Sequence, residues 1–282
     1  MTTNLIRTSI RPRRGWQAIN VVELWHYRDL LFFLAWRDIS VRYKQTVLGA
    51  TWAVLQPIVS MIVFSLFFGS FMHIASDGAP YPLFSYAALL PWGYFSSALT
   101  STAQSLIDNQ RLLVRVYFPR LIIPLAAVLP PLLDFLISFT VLSVMIVGYS
   151  LFGVYHAAVT INLLFLPGFL LLALVTALGV GLWISALNVQ YRDFRYVTGF
   201  LVQVWLFASP VAYSSSIVPL GLRSLYGINP MVGVINGFRW ALLGTGDFSP
   251  ATFIVSTVVA IGLLVSGTFY FRRVEKIIAD VV

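Results

Sequence analysis

Between Phe135 and Tyr191 the chain runs for 57 residues without an aspartate, glutamate, lysine or arginine. A soluble domain cannot leave so long a stretch uncharged, whereas about 20 apolar residues suffice to cross a bilayer as a helix. Inside hydrocarbon every backbone N–H and C=O must be satisfied within its own segment, and a helix does this. The run therefore reads as two spans and a turn, the turn lying between Ser150 and Asn162, where Gly153, Tyr155 and His156 cluster. Three other uncharged runs are as long as a span or longer: Val47–Met72 (26 residues), Gly78–Ile107 (30) and Phe248–Phe271 (24). With 59% hydrophobic and 10% charged residues, this is a polytopic α-helical membrane protein.

The net charge of +8 gains its meaning from position. On the spans assigned here, sixteen of the eighteen lysines and arginines fall on one side of the membrane, leaving only Arg223 and Arg239 for the other. That asymmetry is the signature of cytoplasmic loops, and it removes the reason to invoke nucleic acid. The segment Asp108–Arg120, DNQRLLVRVYFPR, carries Arg111, Arg115 and Arg120. At a bilayer centre each would cost about 2.5–3.5 kcal/mol on insertion scales, so the segment lies outside the hydrocarbon. Helical spacing of Leu112, Leu113, Val116 and Tyr117, ended by Pro119, predicts a short basic helix projecting into the cytoplasm.

Taken in order, residues 1–46 form a cytoplasmic segment. Arg13 and Arg14 precede no apolar core or cleavage site, so this end is expected to be uncleaved. At 100° per residue Val21, Val22, Trp25, Phe32, Phe33 and Trp36 share one face from Val21 to Trp36, with Glu23, His26 and Arg37 opposite and Asp29 out of place. Such a helix either lies in the cytoplasmic leaflet or packs on the spans. A transmembrane region, 47–271, follows, with spans at about 47–72, 83–107, 121–148, 163–187, 196–213 and 248–271, then a cytoplasmic tail, 272–282. Pro57 is expected to kink the first span, and Ser, Thr and Gln after Trp92 make either helix contacts or an aqueous path. Pro124, Pro130 and Pro131 predict a broken start to the third span. Asp134 is the most conspicuous acid near membrane depth, either a substrate or helix contact, a partner for an arginine such as Arg120, or simply close to the interface. Ser224–Phe238 is too short to cross and would reverse the tail if it did, so two short outer helices are expected between spans five and six, with both ends of the chain cytoplasmic.

No phosphate loop and no HExxH is present, there is no cysteine, and His26, His73 and His156 are far apart, so no metal site or catalytic set is expected. The chain reads as a transporter energised elsewhere. A membrane-embedded transferase would have only His73, Asp77 and His156 at the outer surface, and a secondary transporter would centre on Asp134.

WRDISVRYKQTVLGATWAVLQP (Trp36–Pro57), VYFPR (Val116–Arg120), LNVQYRDF (Leu187–Phe194), SPVAYS (Ser209–Ser214), and INPM followed by FRWALL together resemble the permease subunit of ABC-2 type exporters of polysaccharides and polyol phosphates. O-antigen permeases and their teichoic-acid counterparts are the nearest kinds; capsule, drug and lipid exporters share the architecture. The resemblance implies a permease homodimer with two copies of a cytoplasmic ABC ATPase, which holds ATP and Mg, exporting a lipid-linked glycan across the bacterial inner membrane. This chain then holds no cofactor. It also implies that Asp108, Gln110, Arg111, Arg115, Tyr117, Phe118 and Arg120 belong to an ATPase-coupling helix, Val21–Trp36 is the interfacial helix, and Val218–Leu243 forms outer gate helices including Asn229, Pro230, Arg239 and Trp240. Tyr191, Arg192 and Asp193 make either a second ATPase contact or an orienting loop. Trp52, Phe64, Phe67, Trp205, Phe207 and Tyr213 supply aromatic surface between the first and fifth spans, lining either a sugar channel or the lipid and core.

Overall fold

The computed structural model describes residues 21–44, 49–155, 161–191, 193–245 and 248–281, and among these no strand occurs. The assignments made to residues 1–20, to 45–48, to His156 and to Arg192 lie outside the described residues, as does the side chain of Val21. Helices α1 (Val21–His26) and α2 (Arg28–Lys44) precede α3 (Gly49–Phe64), which continues as a π-helix, Ser65–Phe71. Then come α4 (Tyr81–Asp108), α5 (Gln110–Arg115), α6 (Ile122–Ala127) and α7 (Pro130–Leu151). A 3-10 turn at Ile161–Phe165 leads into α8 (Leu166–Gln190), followed by α9 (Phe194–Ala208), α10 (Arg223–Tyr226), α11 (Pro230–Leu243) and α12 (Pro250–Val281).

Among the described residues, four stretches are long and apolar enough to cross a membrane: Thr51–Phe71, Ile122–Leu151, Ile161–Gln190 and Pro250–Glu275. The axis of the packing is α4, which lies against α8, α7, α11 and α3. Its outer half, Leu83 to Trp92, is buried throughout, with Leu83, Phe84, Tyr86, Ala87 and Ala88 wholly inaccessible. The close α8–α12 pair depends on glycine. A methyl group at Gly179 would stand 2.6 Å from the Leu264 backbone nitrogen, and one at Gly267 would stand 2.3 Å from the Gly179 carbonyl oxygen. By contrast, nothing in the most apolar window of Thr51–Phe71 is buried.

Several element limits differ from those expected. The stretch expected as one helix over Val21–Trp36 is two, α1 and α2, parted by a turn at Tyr27, and α2 continues through Lys44, with Arg37 held by Asp38 and Asn109. The helix expected within 108–118 is shorter, six residues from Gln110 to Arg115. Asn109 leaves helical geometry at its front, and Val116 is extended behind it. Helix α9 stops at Ala208, before Pro210, where Ser209 turns extended. Of the two outer helices, α10 has only four residues, whereas α11 has fourteen. The last helix runs on past Phe271 to Val281, with Phe271 and Val274 buried in a second core with Leu34, Ile122 and Leu182. The third span does break as the prolines suggested, between α6 and α7.

Candidate functional site: a polar-aromatic cleft and its cytoplasmic supports

Pro57 has no N–H to offer the carbonyl four residues earlier. That carbonyl, of Ala53, instead accepts from Ser138 Oγ on α7 at 3.1 Å, so the position the proline leaves open ties α3 to α7. Beside this tie opens a cleft of about 680 Å³, within the range of ligand pockets. Trp52, Gln56, Ser60 and Phe64 of α3 form one wall, Trp92, Ser96 and Ser97 of α4 another, and Asp134 and Phe135 of α7 a third. Tyr94 also contributes to the lining, and its hydroxyl is buried with no partner among the described residues. At one end Asp134 accepts from Arg42 Nη1 and from the Tyr43 hydroxyl, two closely held contacts from the last turn of α2. Burial and the neighbouring carboxylate push the Tyr43 hydroxyl well above the usual phenol range, so it stays a donor. The arginine partner of Asp134 is therefore Arg42, and Arg120 lies elsewhere.

Of the aromatics expected to line a channel, the cleft gathers Trp52 and Phe64. Phe67 and Phe207 are largely exposed on the outside of the bundle. Trp205 packs edge-on against Phe95 and donates from Nε1 to Asn229 at 2.8 Å, while Tyr213 hydrogen-bonds with the Tyr226 hydroxyl at 2.7 Å. The serines and threonines of α4 divide between both expected uses. Ser96 and Ser97 face the cleft, whereas Thr102 and Ser105 are buried, Thr102 against Gly181. Trp92, Tyr94, Gln56 and Ser60 were missed; only Pro57 and the polar turn after Trp92 pointed toward them.

The residues expected at the outer gate hold α11 in place. Asn229 caps it through Met231 N at 3.0 Å and donates to Ser209 Oγ at 2.9 Å, with Pro230 at the first helical position. Trp240 stacks on Phe248 at 4.8 Å. Arg239 is wholly enclosed. Its guanidinium donates to the carbonyls of Phe84 (3.2 Å), Pro210 (2.7 Å), Val211 (2.9 Å) and Tyr213 (3.1 Å) and lies 3.4 Å above the Phe84 ring. Gly233 and Gly237 face different neighbours, Ser256 on α12 and Phe169 on α8, and so serve packing within the chain.

At the opposite end of the bundle, the 108–120 segment splits by orientation. Asp108, Gln110, Arg111, Arg115 and Tyr117 face outward, Tyr117 being 74% exposed, whereas Phe118 is buried. Arg120 points inward, donating its backbone N–H to Glu275 Oε1 at 3.3 Å and its Nη1 to the Glu275 carbonyl at 2.6 Å. Partial burial raises the Asp108 carboxyl above its ordinary range; the Arg195 charge opposes this and the Asp38 charge adds to it. Tyr191 and Asp193 are exposed alongside. On α1 and α2, Trp25, Phe32, Phe33 and Trp36 turn outward, each 64–67% exposed, while Leu34 and Ala35 bury against the α6 side.

These features define a helical, multi-pass membrane protein with a polar-aromatic cleft and a basic projecting segment. The ABC-2 type transporter family matches residues 29–243, and the chain belongs to that family. It is 30% identical over 259 residues to the O-antigen export system permease protein RfbA of Myxococcus xanthus, covering 90% of this chain and 96% of that one. A Klebsiella pneumoniae protein of the same name is 26% identical, covering 90% and 95%, and the polysialic acid transport protein KpsM of Escherichia coli is 25% identical, covering 73% and 78%.

Proposed function

We propose that this chain is the permease subunit of an ATP-driven exporter that moves a lipid-linked, O-antigen-like polysaccharide from the cytoplasmic to the outer face of the bacterial inner membrane. The observation that carries the reading is the end-to-end match to relatives named as O-antigen export permeases. The architecture proposed is a cytoplasmic segment (1–46), a transmembrane region (47–271) and a cytoplasmic tail (272–282), with six spans, α4 and α9 among them, and both ends of the chain inside. Two such chains pair with two ABC ATPase subunits, which bind ATP and Mg. The outward-facing Gln110, Arg111, Arg115 and Tyr117, with Tyr191 and Asp193, form the ATPase-facing surface.

The cleft has the chemistry a glycan path requires. Sugar rings present flat C–H faces to Trp52 and Trp92, and their hydroxyls exchange hydrogen bonds among Gln56, Ser60, Ser96 and Ser97. A partnerless Tyr94 hydroxyl is a ready donor or acceptor for such a ligand. Trp25, Phe32, Phe33 and Trp36 seat α1 and α2 in the cytoplasmic leaflet.

The test is a chromosomal deletion complemented by Arg111→Ala/Arg115→Ala. The deletion strain accumulates glycan on the cytoplasmic face, and the double variant fails to restore export and to retain the ATPase on purification. Full export by the double variant removes the coupling assignment, and a deletion strain with unaltered surface glycan removes the function.

A further inference from the structure

Helix α2 touches the coupling segment at one point and the cleft at another. Near its middle, Arg37 Nη2 donates to Asn109 Oδ1 at 2.8 Å, and Arg37 Nε is braced by Asp38 at 2.8 Å. Asn109 is the non-helical residue between α4 and α5, and its own Nδ2 is anchored to the Ser105 carbonyl at 2.9 Å. Five residues further along α2, about 8 Å at 1.5 Å per residue, Arg42 and Tyr43 both hold Asp134 on the cleft wall. Between the two joints α2 is unbroken helix, and just before the first of them Leu34 and Ala35 are buried on the α6 side. A rigid element held by two polar joints transmits displacement from one to the other, because packed elements shift as units rather than deform continuously.

We infer that Arg37 and Tyr43 are positioning residues, and that α2 carries movement of the 109–121 segment to the Asp134 end of the cleft, opening or closing it. This rests on the reading of that segment as ATPase-facing. The polar joints suit the task better than an apolar seam would. A hydrogen-bonded pair has defined partners and direction, and can be remade in a second register at little net cost.

This chain has no cysteine, so one introduced thiol is the only one it carries, and labelling is read on the permease band, apart from any thiol of the ATPase. Ser60→Cys places it in the cleft, and a charged methanethiosulfonate reagent is applied to the purified permease–ATPase complex in nanodiscs, with and without a non-hydrolysable ATP analogue and Mg. Labelling rates are expected to differ between the two conditions. With Arg37→Ala added, the ratio falls to one while the ATPase still co-purifies and hydrolyses ATP. Tyr43→Phe, which cuts one bond of the far joint and leaves the near one intact, lowers the ratio and decides the matter if Arg37→Ala does not assemble. A ratio unchanged by either variant, or a Ser60→Cys thiol indifferent to nucleotide in a complex that hydrolyses ATP, overturns the inference and leaves the permease reading standing. Failure of any ATPase to co-purify with the unaltered chain removes the permease reading itself.

Discussion

Replacing Arg239 with methionine keeps much of the side-chain length and removes every donor. The guanidinium is 2% exposed and satisfies the carbonyls of Pro210, Val211 and Tyr213, all in the non-helical chain after α9, besides that of Phe84. Each of the three loop carbonyls left unpaired costs about 1–3 kcal/mol, and loss of the contact over the Phe84 ring adds about 1–2 kcal/mol. Relief from desolvating a cation offsets part of this, as it does for buried charges generally. The net expectation is a loss of about 3–5 kcal/mol, or two to three and a half decades in the folded-to-unfolded ratio. Arg239→Lys falls between, since an ammonium cannot reproduce the planar fork. Reversible unfolding in mixed detergent and SDS micelles, followed by circular dichroism, measures the difference. A methionine variant within about 1 kcal/mol of the parent would refute the view that these carbonyls depend on Arg239.

Gly267→Leu is expected to separate α8 from α12, since even a methyl there meets the Gly179 carbonyl at 2.3 Å, and to cost at least the roughly 1–3 kcal/mol typical of overpacking; the same unfolding assay reads it. Arg120→Ala should remove the Nη1 bond to the Glu275 carbonyl and loosen that end of the 108–120 segment, raising proteolytic cutting at Arg115 several-fold while leaving the helical content unchanged. A spin label at Phe33→Cys should be accessible to oxygen and one at Glu23→Cys to a polar nickel reagent; the reverse pattern removes the interfacial seat of α1 and α2. Trp92→Ala together with Trp52→Ala should lower export without lowering ATPase assembly, scored by surface glycan and co-purification.

The membrane character of this chain was legible because absence of charge is a local property, read without knowing any partner. So was the outward stripe of Trp25, Phe33 and Trp36, since helical spacing alone gathers it. The carbonyl orphaned by Pro57 could be foreseen, but Ser138, which takes it up, lies 85 residues away. Arg120 looked like one more outward cation until Glu275, 155 residues on, claimed it. Arg239 was expected at a gate; its burial depends on a carbonyl on α4 and a loop after α9, elements that no sequence window contains together. The cleft escaped for the same reason, because its walls come from α3, α4 and α7 and each wall alone reads as an ordinary span.

The contrast between α3, with nothing in its apolar window buried, and the enclosed α4 has a consequence for biosynthesis. A helix whose apolar window has nothing buried can enter lipid before its neighbours are made. The second carries Ser96, Ser97, Thr100, Ser101, Thr102, Gln104 and Ser105 along the half that ends at Asp108, and the site that shelters Thr102 is built with Gly181 of α8, which is synthesised only after α5, α6 and α7. It is at home in the bilayer only when that neighbour arrives. Truncation before α8 should therefore leave α4 without the neighbour that covers Thr102 and raise its proteolysis in cells.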